Sequence, residues 1–294
     1  MFIAGIDGGG THTRLEIRDT ENRPVRREEF GPFNINSIGP DAFRVLLREV
    51  FAACGGVTEC TSICVGGAGI SNPLLGQILS EELKAADFRG NWKLCGDQEI
   101  ALRGAMDTPG VALIAGTGSI CFGKNGAGDT ARSGGFGHLI DDGGSGYALG
   151  RDILSAAVRS SDGRCDASEI LEAVYERLGA AIPGDIVTFV YDPATDKSAI
   201  AQYAGIALDL ARDGSIEARR ILDRNAAELY ELVAAVQNRL GLQGCPIALL
   251  GGLLTSDNPY HDLVTERLST LGPVVTPAHD ALWGAAQMAW ENRP

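Results

Sequence analysis

Asp7 is followed by Gly8, Gly9, Gly10 and Thr11 in the stretch IDGGGTHT, directly after an apolar run. Consecutive glycines open backbone conformations closed to other residues and bring N–H groups close to an anion with no Cβ in the way. Phosphate is the natural guest. Thr11 adds a hydroxyl donor, and Asp7, ending a strand, can hold Mg²⁺, directly or through its water shell, against the same phosphates. A tight hairpin, with the aspartate in turn chemistry, accounts for the same letters. A second turn, AGTGS at Ala115–Ser119, carries Thr117 and Gly118. It repeats the strand, Gly/Thr turn, strand order of the first, which implies two similar halves whose hairpins could grip a triphosphate from both sides of a cleft. A third stretch, ALLGGLLTS, would lay Gly251 and Gly252 against a flat adenosine moiety.

Asp97 is the candidate proton acceptor. It follows the apolar stretch WKLC and begins a helical pattern, so its carboxylate is expected at a strand's C-terminal end, where α/β sheets bind ligands. An ordinary helix N-cap fits the local sequence equally well. Other phosphate motifs fail in specific ways. Gly118 to Gly123-Lys124 has P-loop spacing, but Asn125 stands where Ser or Thr should meet Mg²⁺, and the intervening SICF reads as strand. No G-x-G-x-x-G follows a strand and opens a helix, and the protein-kinase H-R-D and D-F-G set is absent. His138 has no partner at metal-binding spacing, and a loop-orienting role is expected for it.

The elements that must position these residues read as α/β. Strands are expected at Phe2–Ile6, Leu15–Ile17, Ile63–Val65, Trp92–Cys95, Val111–Ala115, Ile120–Phe122, Ile247–Leu250 and Val274–Val275. Helical patterns run over 41–53, 73–86, 98–106, 147–160, 167–178, 199–213, 216–240, 260–271 and 281–290. Helices dominate 147–240, as a helical insertion in the second half would. With 294 residues, 45% of them hydrophobic, the chain can build one large core or two of ordinary size. A net charge of −13 opposes binding to nucleic acid or anionic membranes, though backbone amides and a metal can still hold a nucleotide. No stretch approaches the roughly 20 apolar residues of a membrane span, and the start lacks signal-peptide features, so a cytoplasmic location is expected. Seven cysteines, mostly in apolar runs and without C-x-x-C spacing, read as reduced thiols.

DGGGT, GDQEIALRGA (96–105), LIAGTGS (113–119), GGFGHLIDDGGSG (134–146) and LLGG (249–252) occur in the order that resembles the BadF/BadG/BcrA/BcrD-type ATPase family, and within it the amino-sugar kinases. The resemblance spans nearly the whole chain. It implies two ribonuclease-H-like, actin-like ATPase domains with a central cleft for MgATP and a sugar: residues 1–115, and 116–280 with the helical insertion, the last helix 281–294 packing back onto the first. It reverses the preference at Asp97 toward catalysis. It further implies that Asn34 and Asp142 hold sugar hydroxyls, that Gly135, Phe136 and Gly137 pass close to the ring or its N-substituent, and that Ser119 reaches the sugar. An Asx-turn is the simpler account of Asn34 and Asp142.

The implied reaction is ATP-dependent phosphorylation of a hydroxyl, the 6-OH by analogy, of N-acetylglucosamine, glucosamine or a related hexose, by a homodimer. The chain departs from the family pattern at His12, Phe136 and Gly143. Two rivals share the fold. An ATPase activator of acyl-CoA reductases or dehydratases needs cysteine ligands for an iron–sulfur cluster, and Cys121 alone lies near a turn. A non-catalytic sugar sensor has no need for both Asp7 and Asp97.

Overall fold

The computed structural model describes residues 1–70, 72–107 and 109–294. The chain divides into two compact units, Met1–Thr108 with Thr276–Pro294, and Pro109–Val275.

In the first unit, β1 (Phe2–Gly8), β2 (Thr13–Arg18) and β3 (Pro24–Phe30) form an antiparallel meander. A short α1 (Ile35–Ile38) and α2 (Pro40–Ala53) lead to β4 (Cys60–Gly67), α3 (Pro73–Ala85), β5 (Asn91–Gly96) and α4 (Asp97–Ala105). β4 and β5 add in parallel beside β1, giving the order β3-β2-β1-β4-β5. The continuous apolar letters of β1 and β4 are covered on both faces. Phe43, Leu47, Leu75 and Leu79 of α2 and α3 join Ile6, Leu15 and Val65 in one cluster, while the C-terminal helix Ala281–Glu291 joins Ile3, Cys64 and Ile100 in another.

The second unit repeats this plan. β6 (Gly110–Ala115), β7 (Ser119–Lys124) and β8 (Thr130–Gly134) form the meander. After α5 (Gly146–Ser161), α6 (Ser168–Leu178), α7 (Pro183–Tyr191), α8 (Lys197–Ala201), α9 (Ala204–Arg212) and α10 (Ile216–Leu240), β9 (Ile247–Leu250) joins β6 in parallel. Then come α11 (Gly252–Thr255), α12 (Pro259–Leu268) and β10 (Val274–Val275), closing the order β10-β9-β6-β7-β8; the C-terminal helix is α13. Both sheets thus have the ribonuclease-H-like arrangement of three antiparallel strands extended by two parallel ones.

The expected boundary after Ala115 is corrected. Gly110–Ala115 is the central strand of the second sheet, paired to β7 and β9, because its five apolar positions pair only there. The expected helix 199–213 is two helices, broken at Gln202 and Tyr203, where Arg177 Nη1 donates to the Gln202 carbonyl at 2.7 Å. The edge strands β3 and β8, and helix α7, carried no periodic signal.

Candidate functional site

Strand register places the first group of residues. Gly8 pairs with Gly67, and Gly67 with Gly96, in one row across β1, β4 and β5. Asp7 precedes that row and Asp97 follows it. Both carboxylates therefore stand at the C-terminal edge of parallel strands, on the order of 10 Å apart by the spacing of two strand intervals. The row is bare for a packing reason. The Phe33 ring fills the space a Cβ would need at Gly8 and at Gly67, 2.6 Å from the latter position. Any side chain there would expel Phe33, and with it the neighbouring Asn34.

At the first turn, the Gly9 amide donates to the His12 carbonyl at 2.9 Å, closing the hairpin, and the Gly9 carbonyl accepts from Phe33. Gly9 thus binds its own loop. Gly10 has no atom within 4 Å of its Cβ direction, and Thr11 is exposed, so these two residues present open backbone and a hydroxyl. The buried Thr13 hydroxyl donates to the Gly31 carbonyl at 2.7 Å and ties the hairpin to the segment carrying Asn34.

Asp7 is 13% exposed and faces Arg14, whose Nη2 and Nε reach Asp7 Oδ2 at 2.5 and 3.2 Å. The two residues are direct cross-strand partners. Arg14 Nη1 also meets Asp280 Oδ2 at 3.2 Å, and Asp280 Oδ1 caps α13 through the Trp283 amide. Burial works against the Arg14 charge, but the hydrogen bond to Asp7 and the charges of Asp7, Asp280 and Glu29 outweigh it and raise its pKa. Sequence reading passed over Arg14. Counting the hairpin outward from Gly9–His12 would have found it opposite Asp7.

Asp97 is the first residue of α4, and the N-cap is Gly96, so the simple N-cap account does not describe it. Its Oδ1 accepts from the Gln98 amide at 2.9 Å. Water reaches the side chain, yet surrounding protein desolvates it enough to raise its pKa above the ordinary aspartate value; the Gln98 amide opposes this and the Asp7 charge adds to it. A carboxylate with enhanced proton affinity at a strand end has the character of a general base.

Asn34 caps α1, its Oδ1 accepting from the Asn36 amide at 3.0 Å. The Asx geometry is thus present. It engages the oxygen, and the side-chain NH₂ has no partner among the described residues.

In the second unit, the Gly116 amide donates to the Gly118 carbonyl, and the carbonyls of Gly116 and Thr117 accept from Gly146 and Tyr147 at the start of α5. Beneath this turn lie Asp142 and Ser119, only 4% and 3% exposed. Asp142 Oδ1 accepts from the Ser119 amide at 3.5 Å, and its Oδ2 lies 2.9 Å from the Cβ position of Gly118. The Ser119 hydroxyl donates to the Gly143 carbonyl at 2.7 Å. Ser119, expected to reach a sugar, here braces the loop from inside through that hydroxyl. Asp142, in a left-handed conformation at φ 62°, supports the turn through its carboxylate. Gly135 and Gly137 have φ of 75° and 94°. Phe136 between them is 61% exposed, with the Arg132 guanidinium 4.6 Å above its ring. His138 packs edge-on to Tyr147 at 4.7 Å.

Thr117 and Gly252 line one cavity of about 590 Å³ in the second unit, with Ser198, Gln202, Asp209 and Arg212 of α8, α9 and their junction. Gly251 approaches the Ala115 backbone at φ 87°, turning the chain from β9 into α11. The helical wall was not foreseen, because nothing local in α8 or α9 marks a ligand contact. Cys121 is fully buried in the core, its thiol pKa raised by desolvation, and is not presented to a ligand. Among the described residues no three metal-ligating side chains cluster. Asp7 fits Mg²⁺ in the way that ion is usually held, by one carboxylate with waters and phosphates completing the shell.

The fold and the paired glycine turns define an actin-like ATPase architecture, and the chain belongs to the BadF/BadG/BcrA/BcrD ATPase family, whose model matches residues 4–289. It is similar to the N-acetylmuramic acid/N-acetylglucosamine kinase of Clostridium acetobutylicum, 30% identical with 98% of each chain covered. It is also similar to the N-acetyl-D-glucosamine kinase of Dictyostelium discoideum, 29% identical over all of this chain and 98% of the other. A solved structure from Chromobacterium violaceum, provisionally named an N-acetylglucosamine kinase, has the same fold with a TM-score of 0.76, 23% identity and 98% coverage of both chains.

Proposed function

We propose that this protein is an ATP-dependent amino-sugar kinase acting on N-acetylglucosamine, glucosamine or a close derivative. The observation that carries the reading is Asp97: a carboxylate of raised proton affinity, on the same C-terminal edge of the first sheet as Asp7, in a member of an ATPase family. The names of the curated relatives supply the acceptor class.

In this reading the 6-hydroxyl of the sugar gives its proton to Asp97 as its oxygen attacks the γ-phosphorus, and ADP leaves. Gly10 and Thr11 in the first unit, and Thr117 and Gly118 in the second, contact phosphates, while Gly252 and the helical wall beside it receive the nucleoside. When Mg²⁺ is bound it neutralises phosphate charge, with Asp7 as its protein partner. Asn34 offers its free NH₂ to a sugar hydroxyl, and Gly135 to Gly137 border the N-substituent. Asp142 acts by holding the loop.

A coupled ADP-release assay over a panel of amino sugars, with the product identified by mass, tests this. Sugar-dependent ADP release with a matching phosphosugar is expected. ADP release without phosphosugar would contradict the assignment and leave the plain ATPase.

A further inference from the structure

A smaller cavity, of about 300 Å³, lies among α5, α7 and α8 of the second unit. It originates in the stretch PGDIVTFVY. Once that stretch is helical, Ile186 with Val190 and Val187 with Tyr191 fall at i, i+4 spacing, so four apolar side chains share one flank of α7. Leu154 and Val158 of α5 line the same cavity. Leu154, Ile186 and Ile200 are buried and make its floor, while Val187 and Tyr191 are 50% and 80% exposed at its mouth.

Every charged residue lining this cavity is an arginine: Arg151, Arg159 and Arg164. In a chain of net charge −13 that balance is unusual. Arg151 and Arg164 are compensated, by Asp152 at 2.9 Å and Asp162 at 2.7 Å. Arg159, in the last turn of α5, has no hydrogen bond or ion pair among the described residues. Its planar guanidinium matches a carboxylate with two parallel hydrogen bonds. An aliphatic trough ending in an uncompensated guanidinium fits a ligand with an alkyl body and an anionic end, and the volume is at the low end for small-molecule sites. A second copy of this chain fits poorly, because a two-fold contact on this face would set arginines against arginines.

The cavity is also distinct from the one lined by Thr117 and Gly252. α8 stands between them, with Ile200 on this side and Ser198, Ala201 and Gln202 on the other. α8 sits directly on the α5 backbone, since a Cβ at Gly150 would collide with the Ile200 carbonyl. We propose that the α5–α7–α8 cavity binds a medium-chain alkyl carboxylate, its chain along the aliphatic trough and its carboxylate paired with Arg159. The binding is non-covalent and stands apart from the kinase reading.

The test is calorimetric titration of the whole chain with butanoate, hexanoate and octanoate, and with octan-1-ol as the neutral analogue, for the wild type, Arg159→Gln and Val187→Glu. The wild type should bind octanoate, each added methylene tightening binding about fourfold, the transfer gain of one buried CH₂. Arg159→Gln should weaken octanoate about fivefold or more and octan-1-ol by less than about twofold. Val187→Glu, a charge placed at the exposed mouth, should weaken both about tenfold or more, and saturating MgATP should leave octanoate bound. No binding by the wild type, affinity independent of chain length, or affinity unchanged in both variants overturns the inference. Displacement of octanoate by MgATP overturns it by assigning the ligand to the other cavity. Self-association of the wild type that Val187→Glu abolishes, without octanoate binding, overturns it in favour of a second copy.

Discussion

At the scale of single residues, the account turns on how Arg14 and Asp7 set the surroundings of Asp97. Arg14 compensates the Asp7 charge at 2.5 Å, and the Asp7 charge is one of the forces raising the Asp97 pKa. Removing the guanidinium leaves Asp7 uncompensated, so Asp97 holds its proton more tightly. Because a base must be deprotonated to act, kcat/KM of the wild type should fall on the acid side at a pH above the ordinary aspartate range. Arg14→Gln should move that limb to still higher pH, and Arg14→Lys should move it less; a limb that stays fixed in both variants would show that the two carboxylates do not communicate. The turn positions of Thr11 and Thr117, and the strand-end positions of Asp7 and Asp97, were legible in the sequence because glycine turns and a strand-to-helix junction mark them. Arg14 was not, since in TRLEIR it reads as one polar position of an alternating strand. The inward brace made by Ser119 and Asp142 was also hidden, because GTGS and DDGG look like open loop until α5 closes beneath them.

At the scale of elements, α13 carries this site from a distance in sequence. Its packing on β1 and α4 is backbone against backbone: a Cβ at Gly284 would collide with the carbonyl of Ile100 and lie 2.6 Å from the Gly104 amide. Asp280 at its start holds Arg14, and Arg18, 2% exposed, pairs with Glu16 at 2.6 Å and donates to the Trp283 carbonyl. Gly284→Val should therefore lift α13 from the sheet. We expect a loss of about 3 kcal/mol, at the upper end of overpacking costs, read as a lowered denaturation midpoint. Unchanged stability would mean that α13 does not dock through this contact. Elements with strong apolar periodicity, such as α10 and β1, were readable to within a residue or two. α7 was not: PGDIVTFVY is β-branched and strand-like by propensity, and it is helical because Pro183 opens it and Asp185 accepts from the amides of Ala181 and Ile182. β3 escaped because PVRREEF is an exposed, charged edge strand with no apolar face to read.

At the scale of the whole molecule, two sheets of identical strand order stand behind the internal echo of the two Gly/Thr turns, each turn joining the central strand to its antiparallel neighbour. The repeat was visible as letters, while the division of the chain was not, because β6 pairs with β7 and β9, both C-terminal to it, and with no strand of the first sheet. A chain of net charge −13 that handles a polyanionic nucleotide must do so through local donors, and in the reading proposed above the Gly10 amide and the hydroxyls of Thr11 and Thr117 are those donors. No helix among the described residues is long and apolar enough to cross a membrane. The central claim is that Asp97 takes the proton in phosphoryl transfer to a sugar. Its most direct measurement is the rate of N-acetylglucosamine phosphate formation by the wild type and by Asp97→Asn, with MgATP affinity measured on both. The predicted result is a loss of about 10²–10⁴ in kcat, the usual contribution of a positioned base, with nucleotide affinity unchanged; phosphosugar formed by Asp97→Asn at the wild-type rate would contradict the account.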